Sequence, residues 1–438
     1  MADRARSRVR LELIFMLFLI STIAFLDRTN ISVAGVKMRQ EYGIDQVQLG
    51  RIISAFLIGY ALFQVPAGWL AARFGPRKVL TGALMWWGAF SALTALVPPQ
   101  AGHALVMLFL VRVALGVGES VVYPSANQMI ARWIPAEERG KANGWIFAGV
   151  GVGSGITPPI VTAIMLWGGW RASFYACAVV GLLAAAVWYL MARDRPQDHP
   201  RVNEGELAHI EAGLPPQVTA PRARAPWSAI FGSRNVWGLF LSYFAFGYVV
   251  WIFFGWFFTY LAEARHLDLK TSAGYAMLPF LCMTGGCLAG GVINDRLARR
   301  FGLFWGRTGL AIVSFLFTGL FLVLGSMADS ALLAVIIFAG GAGAIYVSQS
   351  SFWSVTADIA GQHTGVVSGF MNMGCQIGGA LATALTPWIA QNFGWAAAFF
   401  VGAAIILLGV GAWAVVDPTR LLEPAEPPAE GLTEPATA

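Results

Sequence analysis

The sequence predicts an all-α integral membrane protein, with twelve transmembrane helices in two pseudo-symmetric six-helix halves. Three observations predict it. Hydrophobic types make up 57% of the 438 residues and charged types 12%, against roughly 25% charged in an average soluble domain. The apolar residues gather in runs long enough to cross a bilayer, which takes about 20 residues. A polar, proline-rich stretch divides those runs into six and six. Such abundant apolar surface argues against a soluble enzyme and against a disordered chain, and the mean hydropathy of +0.64 agrees.

The first run, 11–36, follows Arg4, Arg6, Arg8 and Arg10 and so imitates a secretion signal. No small-x-small cleavage site follows it, so it is expected to remain as a first span. Runs 47–71, 78–98, 104–131, 142–166 and 171–192 complete a first half, residues 1–192. Residues 193–235 carry Pro196, Pro200, Pro215, Pro216, Pro221 and Pro226 among many charges. They read as a cytoplasmic linker, with a short amphipathic helix near Glu204–Ala212. Runs 236–262, 273–293, 305–328, 331–356, 364–391 and 394–416 form a second half, residues 236–416. Residues 417–438, rich in Pro, Glu and Ala, read as a disordered cytoplasmic tail. The glycine clusters at 149–155 and 340–343 suit close helix packing.

Lys and Arg set orientation, because they concentrate on the cytoplasmic side. Of 29 such residues, only Lys37, Arg39, Arg51, Arg171, Arg265 and Lys270 fall in segments on the side opposite the termini. Arg28 and Arg112 lie within spans. Both termini are therefore expected in the cytoplasm, and the net charge of +6 needs no nucleic acid to explain it. Cys177, Cys282, Cys287 and Cys375 sit in apolar runs and read as small buried hydrophobes. His103, His199, His209, His266 and His363 fall in expected loops and form no metal constellation. No Gly-x4-Gly-Lys-Ser/Thr phosphate loop is present, so ATP is not the expected energy source.

The halves repeat each other. Gly68-Trp-Leu-Ala-Ala72-Arg73-Phe-Gly75-Pro-Arg77-Lys78 follows span two, and Gly291-Val-Ile-Asn-Asp295-Arg296-Leu-Ala-Arg299-Arg300 follows span eight. Two six-helix halves around a central cavity is a transporter architecture, with a substrate site near the midplane. Four charges stand well inside the spans: Asp27, Arg28, Arg112 and Glu119. A charge at the bilayer centre costs about 2.5–3.5 kcal/mol on insertion scales and is normally kept for a pathway, a relay or a counter-ion. Arg112 and Glu119, seven apart, share one face of span four, and Glu119 leans toward Arg112. Asp27 and Arg28 point about 100° apart, so one can face a cavity while the other faces a neighbouring helix. Both helices belong to one half, so the four are expected to cluster. A guanidinium fork suits a carboxylate, which makes Arg28 the candidate grip for an anionic substrate. Asp27 and Glu119, tuned by Arg112, are the candidate proton carriers. An anion entering this neutral cluster brings a proton with it.

The paired loop motif resembles the signature of the major facilitator superfamily, and the resemblance covers the full chain. The first copy departs from it, with Ala72 where that superfamily usually has Asp; the second copy keeps Asp295. The resemblance makes Gly68, Arg73, Gly75, Arg77, Gly291, Asp295 and Arg296 gating-motif residues. Phe25-Leu-Asp27-Arg28-Thr-Asn30 and Arg112-Val-Ala-Leu-Gly-Val-Gly-Glu119-Ser together resemble the anion:cation symporter family, whose bacterial members carry sugar acids and other organic anions. That resemblance implies protonation at Asp27 and Glu119 and carboxylate binding at Arg28. It also places pocket residues at Tyr60, Ser350, Trp353, Asn372 and Gln376. Phe25 stands where sugar-acid carriers tend to have Tyr, and span five lacks their Gln. Span seven is instead very aromatic, with Tyr248 or Trp251 expected to reach the cavity. The departures favour a smaller or more apolar carboxylate over a polyhydroxylated one.

The expected function is proton-coupled uptake of a small organic anion, such as a sugar acid, dicarboxylate or aromatic carboxylate, by alternating access. No cofactor is expected beyond the proton gradient, and no enzymatic activity. The expected setting is the inner membrane, as a monomer in the lipid bilayer, without nucleic acid. An exporter of the same superfamily is the alternative, although Gly155-Ile-Thr-Pro158-Pro159 does not match the Gly-Pro-x-x-Gly-Gly turn of drug antiporters. A non-transporting membrane sensor is the other, and no sizeable soluble domain supports it.

Overall fold

The structure is a computed structural model, and it describes residues 7–100, 102–135, 138–213, 227–360 and 364–422. Among the described residues there is helix and no strand. Helix α1, Val9–Tyr42, stops where Gly43 takes a left-handed conformation. Asp45 opens α2, Gln46–Phe74, with a capping box: it accepts from the Gln48 backbone, and the Gln48 side chain accepts in return. Gly75 separates α2 from α3, Pro76–Leu96, and Pro suits the first helical turn because its missing N–H would have no partner there. Next come α4, Ala104–Glu119, α5, Val122–Trp133, and α6, Arg139–Met191. The fifth and sixth runs are joined in α6, with Gly169 at φ 76° turning the chain between them. The left-handed region costs glycine little because it has no Cβ.

The linker contributes α7, Glu204–Gly213, and α8, Trp227–Gly232. The second half is α9, Arg234–Thr259, α10, Leu269–Phe301, α11, Leu310–Met327, α12, Ala331–Val347, α13, Gln349–Ala360, α14, Thr364–Phe393, and α15, Trp395–Ala414. Among the described residues, ten helical stretches are long and apolar enough to cross a membrane. One of them contains the Gly169 turn and accounts for two crossings. Helix α14 has the length of a crossing, 30 residues, but Asn372 and Gln376 interrupt its apolar run. Among the described residues twelve crossings result, as expected.

Spans four and ten break at matching points. Helix α4 gives way to α5 at Ser120, and α12 to α13 at Ser348. Each serine turns its hydroxyl back onto the carbonyl three residues earlier, Ser120 onto Val117 at 2.7 Å and Ser348 onto Ile345 at 2.6 Å. Such local bonding competes with the helix ladder and bends helices. In the first half Pro124 adds to the break, since it has no N–H to give the Ser120 carbonyl.

Before the linker, α6 packs on α1 and α3, and α2 on α4; after it, α14 packs on α9, α10 on α12, and α11 on α12 and α15. The two bundles meet along α2–α14, α6–α10 and α1–α9. The first bundle is drawn tight at Gly153, where a Cβ would come within 2.2 Å of the Thr22 carbonyl of α1.

At the end away from the linker the bundles are sealed. Arg39 of α1 donates to both oxygens of Glu263 at 2.6 and 2.8 Å, and Gln46 Nε2 donates to the same carboxylate at 2.6 Å. Deeper in, Ser54 of α2 donates to the Ala380 carbonyl of α14 at 2.7 Å.

At the linker end the two loop motifs differ. Helix α2 stops one residue past Arg73, whereas α10 runs five residues beyond Arg296 before Gly302 ends it. Arg73 is exposed and lies over the Trp69 and Phe74 rings. Gly68 accepts from Gln128 at 3.1 Å. The Asp194 carboxylate sits against Gly75 and accepts the Arg77 backbone N–H at 2.9 Å. Arg77 itself donates to the Tyr189 carbonyl. Asp295 and Asp358 flank Arg307 at 3.3 and 3.2 Å, and Arg307 also donates to Asn294. A Cβ at Gly291 would meet no neighbouring atom within 4 Å, and Arg296 is exposed.

The linker helix is anchored. Glu206 accepts from Ser7 Oγ at 2.6 Å and from the backbone N–H groups of Val9 and Arg10 at 3.0 Å each. Burial pushes this carboxyl up, but those hydrogen bonds and the Arg10 guanidinium outweigh it and leave it below the usual range. His209 lies in α7, not in a loop, with Nε2 3.1 Å from Glu138. Arg10 and then His209 hold Glu138 below the usual carboxylate range. His363, residues 214–226 of the linker and residues 423–438 of the tail lie outside the described residues.

Candidate functional site

A cavity of about 630 Å³ lies between the bundles. Its lining runs from Phe25, Arg28 and Trp251, mid-way along their helices, to Gly68, Trp69, Phe231 and Phe370 at the linker end. It therefore opens toward the linker. Arg28 is the one charged residue among the described residues that line it.

Arg28 sits in the middle of α1, one turn from Phe25 on the same face. Glu119 is the last residue of α4, so the break at Ser120 fixes its position. Arg28 Nε donates to Glu119 Oε2 at 2.5 Å, and both side chains are almost wholly buried. The guanidinium lies over the rings of Phe25, Tyr60 and Phe56, with its carbon 4.5, 4.7 and 5.4 Å from their centroids. Its Nη2 and Glu119 Oε1 have no hydrogen-bond partner among the described residues. The arginine thus has one arm tied and one left over, which is the arrangement that can grip an incoming anion.

Asp27 points the other way, as the 100° offset requires. It is fully buried outside the lining and accepts from Ser91 Oγ of α3 at 2.8 Å. Arg112 is also buried, 5.2 Å from the Phe56 ring, with Asp27 and then Glu119 as its electrostatic partners. The four charges are gathered, but not as the seven-residue spacing suggests. Glu119 hydrogen-bonds Arg28 on another helix instead of leaning onto Arg112 on its own.

Tyr60, Trp353, Asn372 and Gln376 line the cavity. Tyr248 and Ser350 do not, and helix geometry gives the reason. The cavity face of α9 carries Tyr243, Phe246, Val250, Trp251 and Phe254. Tyr248 lies about 60° beyond Trp251 around that helix, where its backbone N packs on Gly378 of α14. On α13, Gln349 and Trp353 are four apart and share the cavity face, which turns Ser350 aside. The Ser350 hydroxyl is enclosed with no hydrogen-bond partner among the described residues.

Tyr243, Gln349, Gln64 and Asn127 also line the cavity and are missed by the sequence reading. Their signal is faint, a neutral polar side chain in an apolar run. Gln349, directly after the break at Ser348, is the most conspicuous of them. Among the described residues no group of three potential metal ligands occurs.

The sequence model of the Major Facilitator Superfamily matches residues 17–383. The chain is 33% identical to the probable sulfoacetate transporter of Cupriavidus necator, covering 94% of both chains. It is 29% identical to the probable L-galactonate transporter of Escherichia coli, over 88% of this chain and 84% of that one. The fold is similar to a solved bacterial homologue of the human lysosomal transporter Spinster in an inward-facing, occupied conformation. The TM-score there is 0.75, with 17% identity over 94% of this chain and 97% of that one.

Proposed function

The chain belongs to the Major Facilitator Superfamily, and from that membership we propose that it carries a small organic anion across the membrane by proton-coupled symport. The observation that carries this reading is the buried Arg28–Glu119 pair, set beside a cavity whose lining holds no other charge among the described residues. The relatives named for sulfoacetate and L-galactonate point to an acid as cargo.

An acid group entering the cavity meets the guanidinium of Arg28, the charged group in its described lining. Two anions then compete for one guanidinium in a low-dielectric site. A buried carboxylate without its partner is costly, by about 3–5 kcal/mol for a broken pair. Protonation of Glu119 removes that cost. The loaded site, with substrate on Arg28 and a proton on Glu119, is as neutral as the empty one. Asp27 and Arg112 serve as the second pair, tuning Glu119 from behind. The seal of Arg39, Gln46 and Ser54 then opens while the linker end closes, and cargo and proton move together. The excess of Lys and Arg at the linker end supports a cytoplasmic side for that end in an inner membrane, and on this reading the present state faces inward. The proton gradient supplies the energy and no cofactor is used.

The test is uptake by the purified full chain in proteoliposomes. Labelled sugar acids, dicarboxylates, aromatic carboxylates and sulfonates are offered with and without an inward proton gradient. At least one should accumulate above its outside concentration only with the gradient. Failure of every anion to accumulate overturns the reading.

A further inference from the structure

We propose that Gln349 and Tyr243 form the second attachment point for the cargo, a station for a hydroxyl group, and so determine specificity. This rests on the proposed function, with Arg28 as the grip for the acid.

Both residues line the cavity, Tyr243 from α9 and Gln349 from α13, and both belong to the bundle opposite Arg28. They are more than nine-tenths buried, at 3% and 8% exposure. Gln349 Nε2 donates to the Tyr243 hydroxyl oxygen at 2.9 Å. The phenol ring is held by its neighbours, with the Phe352 ring at 4.4 Å and the Phe246 ring at 5.0 Å. Gln349 Oε1 is buried without a hydrogen-bond partner among the described residues. A buried acceptor left unmade is expensive, and side-chain oxygens in this state call for an explanation.

The pair offers complementary chemistry. With its oxygen occupied by Gln349 Nε2, Tyr243 still has its own O–H to give. Gln349 has its carbonyl oxygen to accept. The pair therefore presents the phenol O–H as a donor and the amide oxygen as an acceptor, with the second amide N–H as a further donor. Turning the amide end for end exchanges the two roles and leaves the same count. An alcohol, which accepts one hydrogen bond and donates one, satisfies the phenol O–H and the amide oxygen together. A carboxylate only accepts and cannot satisfy the amide oxygen, and a hydrocarbon satisfies neither. The cargo class that fits is a hydroxycarboxylate, with its acid on Arg28 in one bundle and a hydroxyl on Gln349–Tyr243 in the other. The polar station runs against the leaning toward a more apolar acid drawn from the missing tyrosine and glutamine in spans one and five.

The experiment titrates the detergent-solubilised full chain, and its Tyr243→Phe and Gln349→Leu variants, with matched acids. Glycerate is compared with propionate, and gluconate with hexanoate, by ligand-induced thermal shift. Wild type should bind the hydroxylated member of at least one pair about tenfold more tightly, the worth of roughly one or two hydrogen bonds. Either variant should bring that ratio to within about threefold. Arg28→Lys should weaken both members and leave the ratio standing. Each variant's melting temperature without ligand reports its folding, and Tyr243→Phe keeps the ring that packs on Phe352. Equal affinities in wild type, or an unchanged ratio in both variants, overturn the station and leave the transport reading intact. Binding of no acid at all overturns both.

Discussion

Arg28 donates to Glu119 through Nε, and its Nη2 has no hydrogen-bond partner among the described residues, so the guanidinium is tied at one nitrogen and keeps donors to spare. Glu119→Gln keeps the shape of the carboxyl and removes its proton chemistry. It should abolish accumulation driven by a proton gradient, while exchange of labelled for unlabelled anion at equal pH persists; proteoliposome uptake and counterflow measure the two. Arg28→Lys keeps the charge but loses the fork, and cargo affinity should fall by about tenfold or more. Arg28 and Glu119 are legible in the sequence because a charge inside an apolar run stands out. Their pairing is not. The spacing of Arg112 and Glu119 describes one helix, and a partner on a different helix leaves no trace in periodicity. Tyr243 and Gln349 are harder still, since neutral polar side chains in spans are common and only their enclosure marks them.

The helices themselves are read well from run length, and the misreadings occur where the backbone departs from a plain helix. Runs 104–131 and 331–356 look continuous, yet each breaks at a serine that bonds back to its own chain, and in the first the break sets Glu119 in place. Runs 142–166 and 171–192 look separate, and they are separate crossings, divided by the non-helical turn at Gly169. The linker helix near Glu204 is legible from its amphipathic pattern, but its anchor is not, because Glu206 reads as a surface charge. In the fold it satisfies the first N–H groups of α1, where a negative charge is also favoured by the helix dipole. A carboxyl held below its ordinary value of about 4.3 contributes stability that is fully present above that value. That contribution is lost as pH falls through the folded value. The anchor should therefore be at full strength at neutral pH and fail in acid. Glu206→Gln should loosen the start of α1 and the whole of α7 by about 1–2 kcal/mol at pH 7. Hydrogen exchange of amides 9–12 and 204–213 measures it, with wild type and variant converging as the pH is lowered below the folded value.

Across the whole molecule, alternating access requires that one end seal while the other opens, and the sequence announces the two bundles but not which end is shut. The repeat of Gly68–Arg73 in Gly291–Arg296 identifies the halves because it is carried by local motifs. The seal joins residues more than two hundred positions apart, such as Arg39 and Glu263, and no local pattern predicts such a meeting. At the linker end the first motif is tied to its own bundle through Asp194 and the second through Arg307, and among the described residues neither has a hydrogen bond across the cavity mouth. At the far end Glu263 takes three hydrogen bonds, two from Arg39 and one from Gln46. Arg39 and Glu263 are partly exposed, at 20% and 29%, so the ion pair contributes about 1 kcal/mol at most. That is small against a folded bundle but comparable with the balance between two conformations. Glu263→Ala should therefore shift the population toward opening at the far end by about three- to fivefold, leaving each bundle folded. Spin labels on Lys37 of α1 and Lys270 of α10, both exposed at that end, read the change as a longer, broader distance distribution. High salt should move wild type the same way and the variant hardly at all, because screening acts on a charge pair that only wild type retains.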